Sequence, residues 1–121
     1  MVKFFIEYAN TNSIILELNQ KNKYGYYPLL VAIIKNNKKM VKVLMKHASK
    51  NGTIFKLNEK DIESNYPLLK AIYNNSTKNV KLLMDYAIKN GIILELNGKD
   101  INGNYPLLKA INNVVRKMSI P

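Results

Sequence analysis

The sequence predicts an all-α fold, a helix-turn-helix solenoid with extended finger loops. One observation is a phrase of the form Tyr-Pro-Leu-Leu-x-Ala-Ile that occurs three times, at Tyr27–Ile33, Tyr66–Ile72 and Tyr105–Ile111. A second is the spacing, because each copy starts 39 residues after the one before, and a fixed period of this size is typical of stacked repeat proteins. A third is the run with helical periodicity that follows the first and second phrases.

Each unit is expected to contain an outer helix. Val41–Ala48 has apolar residues at i, i+3, i+4 and i+7, which form one helical face, and Val80–Ala87 repeats this pattern. Val2–Asn10 is the corresponding run in the first unit. Gly52 and Gly91 follow their runs, where a helix end often needs positive φ.

An extended segment and a finger should come next. The segments are short and β-branched, and they lie at Ile14–Asn19, Thr53–Asn58 and Ile92–Asn97. Polar residues such as those at 98–104 follow them, and this turn chemistry predicts a hairpin-like finger.

The repeated phrase itself predicts a short, buried inner helix. Its proline suits the first helical turn, where the missing N–H costs nothing. Asn36-Asn37 and Asn74-Asn75 should end the helix, because asparagine tolerates the left-handed conformation of a tight turn.

These residues resemble the ankyrin repeat over almost the whole chain. That family has Gly-x-Thr-Pro-Leu-His-x-Ala-Ala, a glycine turn and then Val-Lys-Leu-Leu. This chain has Gly103-x-Tyr105-Pro106-Leu107-Leu108-x-Ala110-Ile111, and Val80–Met84 reads Val-Lys-Leu-Leu-Met. The resemblance implies that a partner is bound through the finger tips and the exposed side of the inner helices.

The departures from that family carry predictions of their own. The usual period is 33, so the fingers or outer helices should be longer here. Tyrosine replaces the threonine and leucine replaces the histidine of the phrase in all three copies. The family's Thr–His hydrogen bonds are therefore absent. We expect apolar packing to hold the corner between each finger and its inner helix. Asn36 and Asn75 replace the turn glycine, and the last copy has Val114 there. Because valine fits positive φ poorly, the last inner helix should run on through Val115, Arg116 and Lys117.

At this length the chain should be one domain over residues 1–121, with units of about 2–40, 41–79 and 80–118. The units leave an outer helix without an inner partner at the start and an inner helix without an outer partner at the end. Apolar residues should be exposed at both ends, namely Phe4, Phe5 and Ile6, and Leu107, Leu108 and Ile111. Either the chain is a piece of a longer array, or its ends are tolerated or used for association. In the last case head-to-tail stacking would join complementary halves.

The charge has two interpretations. Lys+Arg is 19 and Asp+Glu is 8, so the net charge is +11, which favours nucleic acid, anionic lipid or acidic protein surfaces. Arg116 is, however, the only arginine, and arginine is the residue that binds phosphates and bases bidentately. The composition therefore favours the simpler interpretation, a solvated lysine face together with codon bias. Lys38, Lys39, Lys42 and Lys46 should form a convex basic stripe along the middle outer helix.

The sequence offers no pattern for catalysis, a cofactor, a metal site or a small-molecule substrate. The chain has no cysteine, and its single histidine, His47, shares its repeat position with Tyr8 and Tyr86. A partly exposed, amphipathic position on an outer helix explains all three. Asp61 and Asp100 share a repeat position in the turns and resemble the family's loop-bracing aspartate. No run is long enough for a transmembrane helix or a signal peptide, so we expect a cytoplasmic or nuclear protein.

We therefore expect a non-enzymatic protein-interaction module with an unidentified protein partner. The alternative is a lysine-rich electrostatic binder of nucleic acid or an anionic membrane. The repeats differ from one another at some finger and inner-helix positions, where recognition could be encoded. Tyr24, Tyr26 and Tyr73 are the strongest candidates, unless they only pack between neighbouring fingers. The full predicted surface is Lys23, Tyr24, Tyr26, Ile34, Lys35, Ile62, Glu63, Asn65, Tyr73, Asn74, Ile101, Asn102, Asn104, Asn112 and Asn113.

Overall fold

The structure, a computed structural model, describes residues 1–118, and this part of the chain contains six α-helices and no strand. The all-α prediction is therefore confirmed. The helices are α1 (Val2–Thr11), α2 (Pro28–Ile34), α3 (Lys38–Lys50), α4 (Pro67–Tyr73), α5 (Thr77–Asn90) and α6 (Pro106–Met118).

The helices form two rows. In one row α4 packs between α2 and α6, and in the other α3 contacts α5; α3 also packs on α2, and α5 on α4. The repeated phrases form the first row, each helix beginning at its proline. The core lies between the rows and is apolar, with Leu29, Leu30, Val41, Leu68, Leu69 and Leu83 all buried.

The helices α3 and α5 are longer than the apolar runs that predicted them. Both begin three residues before the predicted start, at Lys38 and Thr77. The reason is a side-chain cap: Asn37 accepts a hydrogen bond from the Met40 N–H and Ser76 from the Asn79 N–H, which satisfies donors left free at a helix start.

The turn residues behave as the sequence predicted. Asn36 and Asn75 have φ of 53° and 50°, and Gly52 and Gly91 both have φ of 68°. Where Val114 replaces the turn residue, α6 continues without a break to Met118. This confirms that the last inner helix does not turn at that position.

The predicted apolar ends are also present. Phe4 and Phe5 are exposed at one end, and Leu107, Leu108 and Ile111 are exposed at the other. Ile6 is the exception, because it is half-buried.

Two expectations about tyrosine and histidine were wrong. The corners after the first and second fingers are held by hydrogen bonds as well as by packing, since the Tyr27 hydroxyl donates to Glu59 O (2.9 Å) and the Tyr66 hydroxyl to Gly98 O (2.8 Å). His47 and Tyr86 are buried, not partly exposed, and of the three equivalent residues only Tyr8, in the terminal helix, is exposed. The Tyr86 ring packs on Phe55 of the preceding unit (ring centroids 5.8 Å apart), and its hydroxyl accepts from the Phe55 N–H.

Candidate interaction surface

Each finger is closed by a side chain that accepts two backbone N–H groups. The Oδ1 atoms of Asn22, Asp61 and Asp100 accept hydrogen bonds from the residues two and four positions later, at 2.9 to 3.0 Å. One backbone hydrogen bond also closes each finger at its base, such as Asp61 N to Asn65 O (2.9 Å). The bracing role expected for Asp61 and Asp100 is therefore confirmed, and it holds the tips in fixed positions.

Neighbouring tips are joined by backbone hydrogen bonds. The Ile62 N–H donates to Tyr24 O (3.0 Å), and the Ile101 N–H donates to Glu63 O (3.1 Å). The side chains of Tyr24, Ile62 and Ile101 are all exposed, and we call these three residues the tip row. Tyr24 also stacks on Tyr26, with ring centroids 6.0 Å apart. Each of three successive tips thus presents a large apolar side chain to solvent.

Tyr73, the last residue of α4, is fixed against the third finger. Its hydroxyl donates to Asp100 Oδ2 (2.6 Å) and accepts from Asn104 Nδ2 (2.7 Å). The ammonium groups of Lys70 and Lys109 each lie 4.8 Å from its ring centroid. This residue therefore supports the third finger, whatever else it contacts.

The same contacts change the pKa values of this pair. Burial would raise the pKa of Asp100, but hydrogen bonds from Tyr73, Asn104 and Asn102 and the charge of Lys70 outweigh it, and the pKa lies below its ordinary value. Burial and the bond to the carboxylate raise the pKa of Tyr73. Asp100 is thus held as a carboxylate, which suits a brace.

Two asparagines of the predicted surface bind neighbouring helices. Asn74 Nδ2 donates to Ile33 O (2.8 Å), and Asn113 Nδ2 donates to Ile72 O (2.9 Å). Each therefore ties the end of one inner helix to the helix beside it.

The structure separates the predicted residues into three groups. Asn65 is buried, so it was wrongly placed on the surface; its backbone closes the second finger. Tyr26, Ile34, Tyr73, Asn104 and Asn113 are half-buried. The exposed ones are Lys23, Tyr24, Lys35, Ile62, Glu63, Asn74, Ile101, Asn102 and Asn112.

A second row of exposed apolar side chains was missed. Ile15, Ile54 and Ile93 share one repeat position and are all exposed. The signal was available in the β-branched character of the three extended segments. These segments are joined by asparagine side chains, since Asn19 bonds to Ile54 O and Lys56 N, and Asn58 to Ile93 O and Glu95 N.

Other features of residues 1–118 bear on the alternatives. Lys39, Lys42 and Lys46 are exposed on α3 and Lys38 is half-buried. No group of three or more histidine and carboxylate side chains in this part of the chain could hold a metal ion. None of the described helices combines the length and apolar character needed to cross a membrane.

No protein-family model matches this chain. The search of curated proteins also found no match.

Proposed function

We propose that the chain is an ankyrin-like repeat domain that acts as a non-enzymatic protein-interaction module. Two features support the ankyrin-like assignment: short inner helices paired with longer outer helices, and braced fingers at one end of each inner helix. The carboxylates Asp61 and Asp100 serve the fingers, which leaves them engaged in structure.

The tip row is the observation that carries the binding role. Tyr24, Ile62 and Ile101 are exposed on tips that are braced and joined to each other. Apolar and aromatic side chains held rigidly at a surface lose little conformational entropy when a partner covers them, and they are frequent hot spots. A protein surface with an apolar groove is the partner that this row fits.

The test uses the immobilised chain to capture partners from a cell extract. Ile62→Ser should remove the captured protein, whereas Ile54→Ser, which changes another exposed isoleucine of the same unit outside the tips, should retain it. Tyr73→Ala is not a suitable probe, because it also removes the bonds to Asp100 and Asn104. Equal capture by both variants and the wild type would show that the tips are not the binding surface.

A second candidate is an electrostatic binder of nucleic acid or anionic membrane. Lys39, Lys42 and Lys46 favour it, because they are exposed at i, i+3 and i+7 along α3 and so lie on one face. Binding of this kind falls steeply with salt. Capture that survives high salt and nuclease treatment supports the protein-binding role, and capture lost at high salt supports the electrostatic one. Loss on nuclease treatment then indicates nucleic acid, and resistance to nuclease indicates an anionic membrane.

A further inference from the structure

The two ends of the chain leave exposed the positions that are buried in the middle. Phe5, Leu44 and Leu83 share one repeat position; Leu44 is 6% and Leu83 0% exposed, but Phe5 is 62% exposed. Leu29, Leu68 and Leu107 share another, at 0%, 2% and 65%. The unburied side chains are thus the ones that pack between units inside the molecule.

Each end carries an apolar groove next to these side chains. The groove at the first end has a volume of about 790 Å³ and lies between α1 and the first inner helix, with Val2, Ile6 and Val31 in its wall. The groove at the other end, of about 860 Å³, lies between α5 and α6, with Met84, Leu107 and Val114 in its wall. We call them the first and last end grooves.

The two end grooves differ in the kind of helix that would fill them. Beside α1, an outer helix, the first groove lacks an inner helix. Beside α6, an inner helix, the last groove lacks an outer helix. A second copy of the chain carries both, because α1 of one copy is the outer helix that α6 of another lacks. We propose that copies of this chain stack head to tail, with the last end groove of one copy occupied by α1 of the next.

Unfilled hydrogen-bonding groups at the two ends match in the same register. Asn19 and Asn58 each bond to the segment one unit further on, whereas the equivalent Asn97 side chain has no partner among residues 1–118. At the other end Ile15 O and Glu17 N, the equivalents of the two bonded groups, are also unpaired within the described part of the chain. Stacking brings Asn97 of one copy to Ile15 and Glu17 of the next.

The tyrosine corner and the tips repeat this match. The hydroxyl of Tyr105, unlike those of Tyr27 and Tyr66, has no acceptor within the described residues, and Gln20 O, the equivalent of Glu59 O and Gly98 O, has no donor. At the tips, the Asn102 carbonyl and the Lys23 N–H are the equivalents of the acceptor and donor that join neighbouring fingers, and neither is paired within residues 1–118. A heterologous contact of this kind leaves a free groove at each end, so the stack can grow beyond a dimer.

Complementary variants test the proposal. Phe5→Glu places a charge on the first end and Leu107→Glu on the last, both at exposed positions. Sedimentation velocity over a concentration series should show the wild type forming species larger than dimers and each variant alone remaining monomeric. An equimolar mixture of the two variants should form a dimer and stop there, because each partner has only one intact end and the dimer uses both.

Controls keep the result specific to the ends. Ile62→Glu makes the same charge change on a finger tip and should associate like the wild type, which separates this proposal from the proposed binding function. Circular dichroism and thermal unfolding at low concentration establish that each variant is folded. Tyr105→Phe should weaken association roughly threefold to tenfold, as expected for one hydrogen bond.

Salt provides a second readout. Each copy has a net charge of +11, so added salt should screen the repulsion between copies and strengthen association. A wild-type chain that stays monomeric at millimolar concentration would overturn the proposal. Dimers of Phe5→Glu alone or of Leu107→Glu alone would overturn it as well, since they would indicate a contact between like ends.

Discussion

Two separate constraints favour glycine at position 25, although Ser64 has a φ of 60° at the equivalent place in the second finger. Its φ of +81° lies in the left-handed region, and a Cβ built on it would stand 2.6 Å from Asp61 Cα. Gly103 has the equivalent place in the third finger, with φ of +80°, but nothing lies within 4 Å of its Cβ position. Comparing substitutions at the two glycines therefore distinguishes the cost of backbone strain from the cost of steric overlap.

We expect Gly25→Ala to destabilise the protein more than Gly103→Ala. The strain of a left-handed alanine costs about 1–2 kcal/mol at either site, and the overlap at the first finger adds about 1–3 kcal/mol. Urea unfolding of both variants measures the difference. Equal losses would mean that the backbone of Asp61 yields to the new methyl group without cost.

The lowered pKa of Asp100 predicts a stability loss in acid. Since the folded state favours the carboxylate, its contribution is complete above the unfolded pKa of 3.8 and is lost as pH falls through the lower folded pKa. Asp100→Asn should keep the finger closed, as Asn22 does in the first finger, but should weaken the bond to Tyr73. We expect a lower Tm at neutral pH and a flatter Tm between about pH 5 and pH 2. Glu63→Gln, on an exposed tip, is the control and should retain the wild-type slope.

At the scale of the elements, the tyrosine corners link the first two inner helices, α2 and α4, to the loop of the unit that follows. Tyr66→Phe removes the bond to Gly98 O (2.8 Å) and should lower the free energy of unfolding by about 1 kcal/mol. Tyr105→Phe is the matched control, because its hydroxyl has no partner within residues 1–118; it should change stability by less than about 0.5 kcal/mol. Thermal or urea unfolding of dilute samples checks both.

The same corner predicts an alkaline limit. Burial first, and then the charges of Glu95 and Asp100, raise the pKa of Tyr66 to about 12. Its neutral form therefore supports the fold fully below pH 10, the ordinary pKa of tyrosine, and less as pH rises towards 12. The stability difference between the wild type and Tyr66→Phe should shrink over this interval. A difference that stays constant would contradict the raised pKa.

The sequence predicts the elements that are determined by residues close together in the chain. Asn36 and Asn75 suit a left-handed turn and Val114 does not. The two turns, and the continuation of α6 past Val114, could therefore be predicted. The capped starts of α3 and α5 were missed because Asn37 and Ser76 lie before the apolar runs. The burial of His47 and the bond from Tyr66 depend on segments of neighbouring units, and no pattern within one unit encodes those distances.

The candidate surface was predictable to a similar extent. Tyr24, Ile62 and Ile101 are exposed because they lie at turn positions that local chemistry identifies. Asn65 was chosen because it lies in a finger, and Tyr73 because the copies differ there. Neither criterion distinguishes a recognition residue from one that braces a finger. The contacts of Tyr73 with Asp100 and Asn104 cross from one unit to the next.

At the scale of the whole molecule, the stability of each unit depends on the units packed beside it. A unit in the middle is covered on both sides, whereas a terminal unit is covered on one. Among the described residues, α4 buries Pro67, Leu68, Leu69 and Ala71, while α1 buries only Ala9 and α6 only Pro106. The ends should therefore open locally far more often than the centre.

Hydrogen exchange measured by mass spectrometry tests this gradient. In dilute solution we expect the amides of α4 to exchange slowest and those of α1 and α6 at least about tenfold faster. At concentrations where copies stack, α1 and α6 should gain protection together, because each contact covers α1 of one copy and α6 of the next. Uniform exchange along the chain would mean that it opens only as one unit, and protection gained by one end alone would contradict head-to-tail stacking.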